Sequence, residues 1–433
     1  MDRQLMPDAM TFKGRTGWPE EETIQLGHDA VPPTASPPRG RLLFVSHDAS
    51  RTGAPVALLN ILRWLRANDP REMRVILRSA GPLEPKFREL AETIVVTDPR
   101  SATDLLQEVS LIYSNTGTNG LFLRELEAES IPIITHIHEM PLILESFGRE
   151  NLEEVIRQTR HYVACSEPVF ESLQSHYRIP PGMISLVHEG ISFEAVLKGA
   201  SEMPEEQVRQ MNRLDQDTMV IAACGVADWR KGPDLFIQLA AWLRDHARTR
   251  RKFVLLWIGL LPGDERGRIL LHDVRQLGIS GLVRFIGEQE NPYPCLKLCD
   301  VFCLCSREDP FPLVMLEAAA LGKPTICFAR SGGAAGLCAR GAGFAIPYLN
   351  IEAMGRQLLE LMDDDELRQK TGANAARLVR EEFDISVVSP RIARLIDRFR
   401  QDPPPILKPV PPPTFGDRVR GFGKTLAGVL TRR

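Results

Sequence analysis

Short apolar runs, each about the length of a strand, alternate along this chain with helix-length segments. RLLFVS from Arg41, MRVIL, TIVV, LIYS, PIITH, YVAC and ISLV form a first series. A polar stretch from Ser192 to Asp217 interrupts the pattern, and TMVIAAC, FVLLWI, LVRFI, VFCLC, TICF and GFAI form a second series. Strand–helix–strand repetition predicts parallel sheets with helices on both faces. Two doubly wound α/β halves of similar size, facing across a cleft, are the expected solution, with ligands at the carboxyl ends of the strands. Beyond them, Val388, Ile392, Leu395, Ile396 and Phe399 fall at helical spacing within Ser386–Arg400, so that segment carries one apolar face that must dock.

Length and composition change the picture little. A chain of 433 residues favours two or three domains, and 43% apolar residues suffice for their cores. A net charge of −3 gives no argument for nucleic acid as a partner. The longest strongly apolar run, Phe253 to Leu261, is strand-sized and too short to span a bilayer. The opening MDRQLMPDAMTFKGR lacks the apolar centre of a secretion signal, so a cytoplasmic location is expected. Eight cysteines include the cluster Cys295, Cys299, Cys303 and Cys305. The first two fall in an expected helix and the second two on one face of a strand, and no paired CxxC completes a tetrahedral site, so buried thiols are expected rather than zinc.

The expected divisions are a disordered leader (1–40), a first Rossmann-like domain (41–195), a second (196–384), a closing helix (385–400), and a Pro-rich linker with a basic tail (401–433). The tail sets Val419, Phe422, Leu426 and Leu430 among basic residues. A weak amphipathic helix touching an anionic membrane and a disordered soluble tail are its two readings. Its GFGKT imitates part of a phosphate loop, without the required first glycine or a preceding strand.

Four segments carry candidate chemistry. In CSREDPFPLVMLEAAALGK, a buried strand ends at Cys305, an acidic loop comes next, and a helix opens on Pro312 and stops at Gly322. Its N-terminal amides attract phosphate or sugar oxygens, and the carboxylates of Asp309 and Glu317 accept hydrogen bonds from hydroxyls. In CGVADWRKGPDLF a strand ends at Cys224 and a helix begins near Pro233, leaving Arg230 and Lys231 at the lip to neutralise a diphosphate. FVSHDASRTGAPVALL places Gly53 before another helix, expected to begin at Pro55, with Asp48 and Arg51 nearby as acceptor contacts. PIITHIHEMP sets His136, His138 and Glu139 at a strand exit. An HxH pair also suits a metal, but no third ligand at suitable spacing is evident.

The Cys305–Lys323 segment resembles the acidic signature of glycosyltransferase family 4, whose members have the GT-B fold and use nucleotide-sugar donors. The resemblance spans roughly Arg41 to Phe399 and is closest from Asp300 to Pro324. Matching the family's motifs, Asp309 and His138 are expected to contact the transferred sugar. Gly53, Arg230, Lys231, Phe311, Pro312, Leu313 and Glu317 are expected to bind the donor. Three positions depart from the pattern. Asp309 stands where Glu is usual, Val226 where an Arg is usual, and Gly336 where the acid after the Gly-Gly loop is usual. Glu167 and the HEGI run at His188 are assigned to scaffold.

The resemblance implies a retaining, metal-independent glycosyltransferase that moves a sugar from a nucleoside diphosphate to a saccharide or lipid-linked acceptor, as in polysaccharide biosynthesis. No cofactor is expected. Contact with the inner face of the membrane is the finer expectation for location. A non-catalytic glycan or nucleotide-sugar binder of the same fold is the alternative, motivated by Val226 and Gly336. A dinucleotide oxidoreductase fails for want of GxGxxG after the first strand.

Overall fold

The computed structural model describes residues 40–401 except 250, 261 and 262. The expected leader, linker and basic tail lie outside them.

Two parallel sheets form the frame. The first contains β1 (Arg41–Ser46), β2 (Met73–Leu77), β3 (Glu92–Val95), β4 (Val109–Ser114), β5 (Ile133–Ile137), β6 (Thr159–Ala164) and β7 (Ile184–Leu186). Its order is β3-β2-β1-β4-β5-β6-β7. The second contains β8 (Met219–Cys224), β9 (Phe253–Ile258), β10 (Val283–Ile286), β11 (Val301–Leu304), β12 (Thr325–Phe328) and β13 (Gly343–Ile346), ordered β10-β9-β8-β11-β12-β13. Every expected apolar run is therefore a strand. The order reverses between β1 and β4 and between β8 and β11, which opens a crevice at the carboxyl ends of each pair.

Four of the helices position the crevices or close the fold: α1 (Gly53–Asn68), α2 (Pro233–His246), α3 (Leu313–Ala320) and α4 (Ile385–Gln401). Two begin off the expected residue. Helix α1 starts two residues before Pro55, and Pro312 caps α3 rather than opening it. Strand β6 also starts earlier than its apolar run, because Thr159 and His161 pair with Ile133 and Ile134 of β5. The His161 ring is buried against Phe399, ring centres 4.2 Å apart, so a polar residue joins the strand under the cover of α4.

The apolar face of α4 is buried as its spacing predicts. Val388, Ile392, Leu395, Ile396 and Phe399 share one core with Leu58, Leu62 and Phe44 of the first half. The chain crosses from the first sheet to the second at 187–193 and returns at 383–385. The two crossings are laced together: Ile191 N donates to the Phe383 carbonyl at 3.0 Å, Ile385 N to the Ile191 carbonyl at 2.9 Å, and Phe193 N to the Asp384 carboxylate at 2.9 Å.

The clustered cysteines are buried. Cys303 and Cys305 sit 3.7 Å apart, each 3.8 Å from the Met354 sulfur, packed as small hydrophobes. Among the described residues no helix is long and apolar enough to cross a membrane.

Candidate active site

In the second sheet the crevice lies between the loop after β8 and the loop after β11. Gly232 takes φ +70, a left-handed turn, and a Cβ there would overlap the Cys305 carbonyl. Glycine lets the two loops touch. The turn aims the Lys231 ammonium at Asp309, Nζ to Oδ2 2.6 Å, and Ser306 Oγ lies 3.3 Å from the same oxygen. A third loop braces this pair from behind. Asp309 N donates to the Ser331 carbonyl at 2.7 Å, Gly333 N to the Pro310 carbonyl at 2.9 Å, and Gly332 pairs with Asp309 as a one-residue parallel bridge.

Glu317, one turn into α3, completes the pocket. Tyr293 Oη donates to its Oε1 at 3.2 Å, and burial pushes the carboxyl up to about 7, the tyrosine opposing that rise. Glu317 and Lys231 act on one thiol with opposite sign. Burial raises Cys224 to about 12, Glu317 adding to the rise and Lys231 reducing it. Lys231 therefore contacts Asp309 directly, while Glu317 lies one turn into α3 and shares the neighbourhood of Cys224 with Lys231.

Other expected donor groups are placed differently. The Arg230 guanidinium lies 3.5 Å from Asp228 and faces Glu308, while its carbonyl accepts from Arg307 N at 2.6 Å. Only one of the two adjacent cations meets the Asp309 carboxylate. The Phe311 ring is buried between His188 (5.1 Å) and Phe383 (5.8 Å), packing the crossover. The backbone from Phe311 to Leu313 is what this segment offers a ligand. Val226 is half exposed, so its apolar side chain is not claimed by the core. Gly336 lies in a short helical turn, its N–H on the Gly333 carbonyl at 3.1 Å.

In the first sheet, Gly53 opens α1 with empty space around the position of a Cβ. Thr52 caps this helix without a side-chain hydrogen bond. The neighbouring acceptor candidates are engaged elsewhere. Asp48 accepts from Ser50 N and Oγ at 3.0 and 2.9 Å, and Arg51 pairs with Glu288 of the second half at 3.2 Å.

His136 and His138 lie together on one side of β5's exit, ring centres 3.9 Å apart and planes tilted by 40°, as alternation predicts. Their roles part there. Burial, aided by His138, lowers His136 well below the usual imidazole range, and Tyr113 Oη holds its Nδ1 at 2.8 Å. His138 is held by Glu189 (Nδ1 to Oε1, 2.6 Å) and Asn115 (Nε2 to Oδ1, 3.1 Å). Glu139 turns away, accepting from Thr116 Oγ1, Gly117 N and His138 N. It ties two loops together.

Ligand atoms of His138, Cys165 and Glu189 lie within 4.8 Å of one another. At 2.6 Å, however, His138 and Glu189 stand closer than two ligands about 2 Å from one ion. Burial and the nearby Glu189 and Glu139 charges also hold the Cys165 thiol well above its usual range. The arrangement is a hydrogen-bonded cluster.

The two half-sites face each other. Glu189 adjoins His188, whose ring packs on Phe311, two residues from Asp309, and a Cβ on Gly333 would lie 2.9 Å from that of Ser166. Sequence reasoning missed Asn115, Glu189 and Glu308. Glu308 is buried, and burial raises its carboxyl, with Arg230 and the Leu142 backbone tempering the rise. Asn115 and Glu189 are polar residues just past strand ends, and that position was the available signal.

Residues 204–378, which include the Lys231–Asp309–Glu317 pocket, match the family described as glycosyl transferases, group 1. The D-inositol 3-phosphate glycosyltransferase of Corynebacterium glutamicum (strain R) is similar, 26% identical over 333 residues, covering 71% of this chain and 78% of that protein. The protein of that description from Corynebacterium diphtheriae is 24% identical over 364 residues, covering 77% and 83%. Among solved structures, HepE of Anabaena in complex with UDP-glucose superposes with a TM-score of 0.71 at 18% identity, over 83% of this chain and 100% of that one. A glycosyltransferase from Rickettsia africae gives 0.69 at 14% identity, over 84% and 99%. With the switch-point crevices and the facing sheets, the chain has the GT-B fold, and its residues 204–378, which hold the acidic pocket, are similar to the group 1 glycosyltransferases.

Proposed function

We propose that the protein transfers a sugar, with retention and without a metal ion, from a nucleoside diphosphate donor to a hydroxyl of a saccharide or lipid-linked acceptor. The observation that carries this reading is the 2.6 Å Lys231–Asp309 pair at the N-terminus of α3, with Glu317 in the same pocket. A donor would exchange this ion pair for two better-matched contacts. Lys231 would turn to the diphosphate, helped by the amides at the start of α3, and Asp309 would be released to the sugar hydroxyls. A lysine and a helix terminus supply the positive charge that a leaving diphosphate needs. Glu317 would take the ribose hydroxyls and His138 would face the transferred sugar. With no second carboxylate assigned as nucleophile, front-face displacement is preferred, the departing phosphate oxygen deprotonating the acceptor.

The complexes of HepE with UDP and UDP-glucose make UDP-glucose the first donor to try, and the relatives' description makes D-inositol 3-phosphate the first acceptor. The purified protein is expected to release nucleoside diphosphate from one member of a nucleotide-sugar panel when acceptor is present. Proton NMR should show the donor's anomeric configuration in the product, with turnover unchanged in EDTA. Binding of a donor with no release of nucleotide under any acceptor would instead identify a non-catalytic binder.

Glu317 predicts a pH dependence. Its folded value, about 7, lies above the usual carboxyl range because burial penalises the charged form. The folded state then holds the proton more tightly, so stability is greatest below the usual carboxyl value and falls as pH rises towards 7. Binding runs the other way, because the ionised carboxylate is the better acceptor for ribose hydroxyls. Nucleoside diphosphate affinity is expected to strengthen about tenfold from pH 6 to pH 8, following the ionised fraction. Glu317→Gln should flatten that rise and remove the fall in thermal midpoint. Equal pH dependence in variant and wild type, by calorimetry, would refute the assignment.

A further inference from the structure

We propose that Glu189, the residue before Gly190 in the crossing between the two halves, is the positioning residue of His138 and acts as its counter-ion. The inference rests on the reading that His138 faces the transferred sugar, and it assigns to the reaction a carboxylate that sequence reasoning left to the scaffold.

Both side chains are almost wholly buried, 4% exposed for His138 and 3% for Glu189, and the contact between them is 2.6 Å. The other ring nitrogen lies 3.1 Å from Asn115 Oδ1. That amide's orientation is not free, because Asn115 Nδ2 donates to the Ala54 carbonyl at 2.7 Å, which turns Oδ1 towards the histidine. Both ring nitrogens therefore face oxygens. A ring that donates from both carries a positive charge, and a buried positive charge needs a buried partner. Glu189 is that partner.

The second observation is the other carboxylate oxygen. Glu189 Oε2 is buried without a hydrogen-bond partner among the described residues, and so is His136 Nε2. Both residues line one small internal pocket, closed by Asn60 of α1 and by Val388, Ser389 and Ile392 of α4. A carboxylate serving only to hold the fold together would spend both oxygens on the protein. Here one oxygen goes to a single ring. Ionisable groups around the pair are His47, Tyr113, His136, Glu139, Cys165 and His188, and none of them makes the short contact to Nδ1.

The placement ties the reaction to domain arrangement. Asn60 Nδ2 holds the Gly190 carbonyl at 2.9 Å, and Ile191 is laced to the returning strand at Phe383 and Ile385. The carboxylate that orients His138 is thus delivered by the crossover itself. A shift of one half against the other reaches the histidine through two backbone bonds.

The test labels the full-length protein with 15N-histidine and reads the ring nitrogens, with His138→Gln identifying the signal by its loss. The His138 ring is expected to donate from both nitrogens, and Glu189→Gln to convert it to a single-proton form. The same variant should lower kcat by about tenfold or more, as misplacement of a reacting group does, with donor KM within about twofold. Glu189→Asp should recover part of the loss. An unprotonated Nδ1 in the wild type overturns the proposal even if Glu189→Gln does not fold. So does a Glu189→Gln protein that keeps both ring signals and wild-type kcat. If His138→Gln is fully active while the ring behaves as described, the role of His138 in transfer fails and the charge pairing stands.

Discussion

Lys231→Ala is expected to lower kcat/KM for the nucleotide-sugar donor about 10²–10³-fold, the usual loss when one group aimed at developing negative charge is removed. Two effects of opposite origin contribute. The first is the missing ammonium at the diphosphate, which acts in the transition state and appears in kcat. The second is ground-state damage. Asp309 is 9% exposed at its side chain and would lose the cation that holds it, Nζ at 2.6 Å. Stranding a buried carboxylate costs about 1–3 kcal/mol. The stability loss should appear as a lower thermal midpoint at pH 7. The double variant Lys231→Met, Asp309→Asn separates the two. It removes both charges from similar volumes, so the midpoint should return towards wild type while activity stays low. Lys231→Ala with kcat/KM within about threefold of wild type would show that the diphosphate lies elsewhere, since one such donor is worth far more.

How far such a site can be read without coordinates depends on which physical rule sets each part. The strands were legible because burial between two helical layers demands apolar side chains regardless of function. Phe253–Ile258 and Gly343–Ile346 are observed with the bounds of their apolar runs. The Lys231–Asp309 contact was legible because a parallel sheet forces loops after adjacent central strands to one edge. Direction was harder. Nothing in the succession Arg230–Lys231 says which cation meets the acid, and the left-handed turn at Gly232 decides it by pointing Lys231 inward. Phe311 was expected at the ligand because its backbone leads into the start of α3, while its ring answers to the crossover core. Glu189 and Asn115 stayed hidden for another reason. Each is polar in a loop, where polarity is ordinary, and only the fold brings them from the ends of β7 and β4 onto one imidazole beside β5.

Gly332→Ala should be the most damaging single-methyl change in the acidic pocket. Gly332 sits at φ +148, and a Cβ there would overlap the Asp309 carbonyl oxygen and crowd Pro310 N at 3.3 Å. Neither neighbour is a flexible side-chain end, so the loop after β12 must retreat from the loop after β11. That retreat breaks the Asp309 N bond to Ser331 and carries the carboxylate off Lys231. The strained backbone and lost contacts together cost about 2–4 kcal/mol, and a shift of about 1 Å in a positioning group costs about 10²-fold in turnover. Denaturant unfolding and steady-state kinetics measure both on one preparation, at a temperature where the variant is still folded. Gly53→Ala is the informative contrast, because the same methyl there meets no atom of the protein within 4 Å. Its stability should stay within about 0.5 kcal/mol of wild type. A fall in activity at Gly53 without a fall in stability would mean that a substrate occupies that space; unchanged activity would remove Gly53 from the donor site. Stability and turnover should therefore fall together at Gly332 and separate at Gly53, and wild-type stability for Gly332→Ala would contradict the loop contact on which the geometry of Asp309 depends.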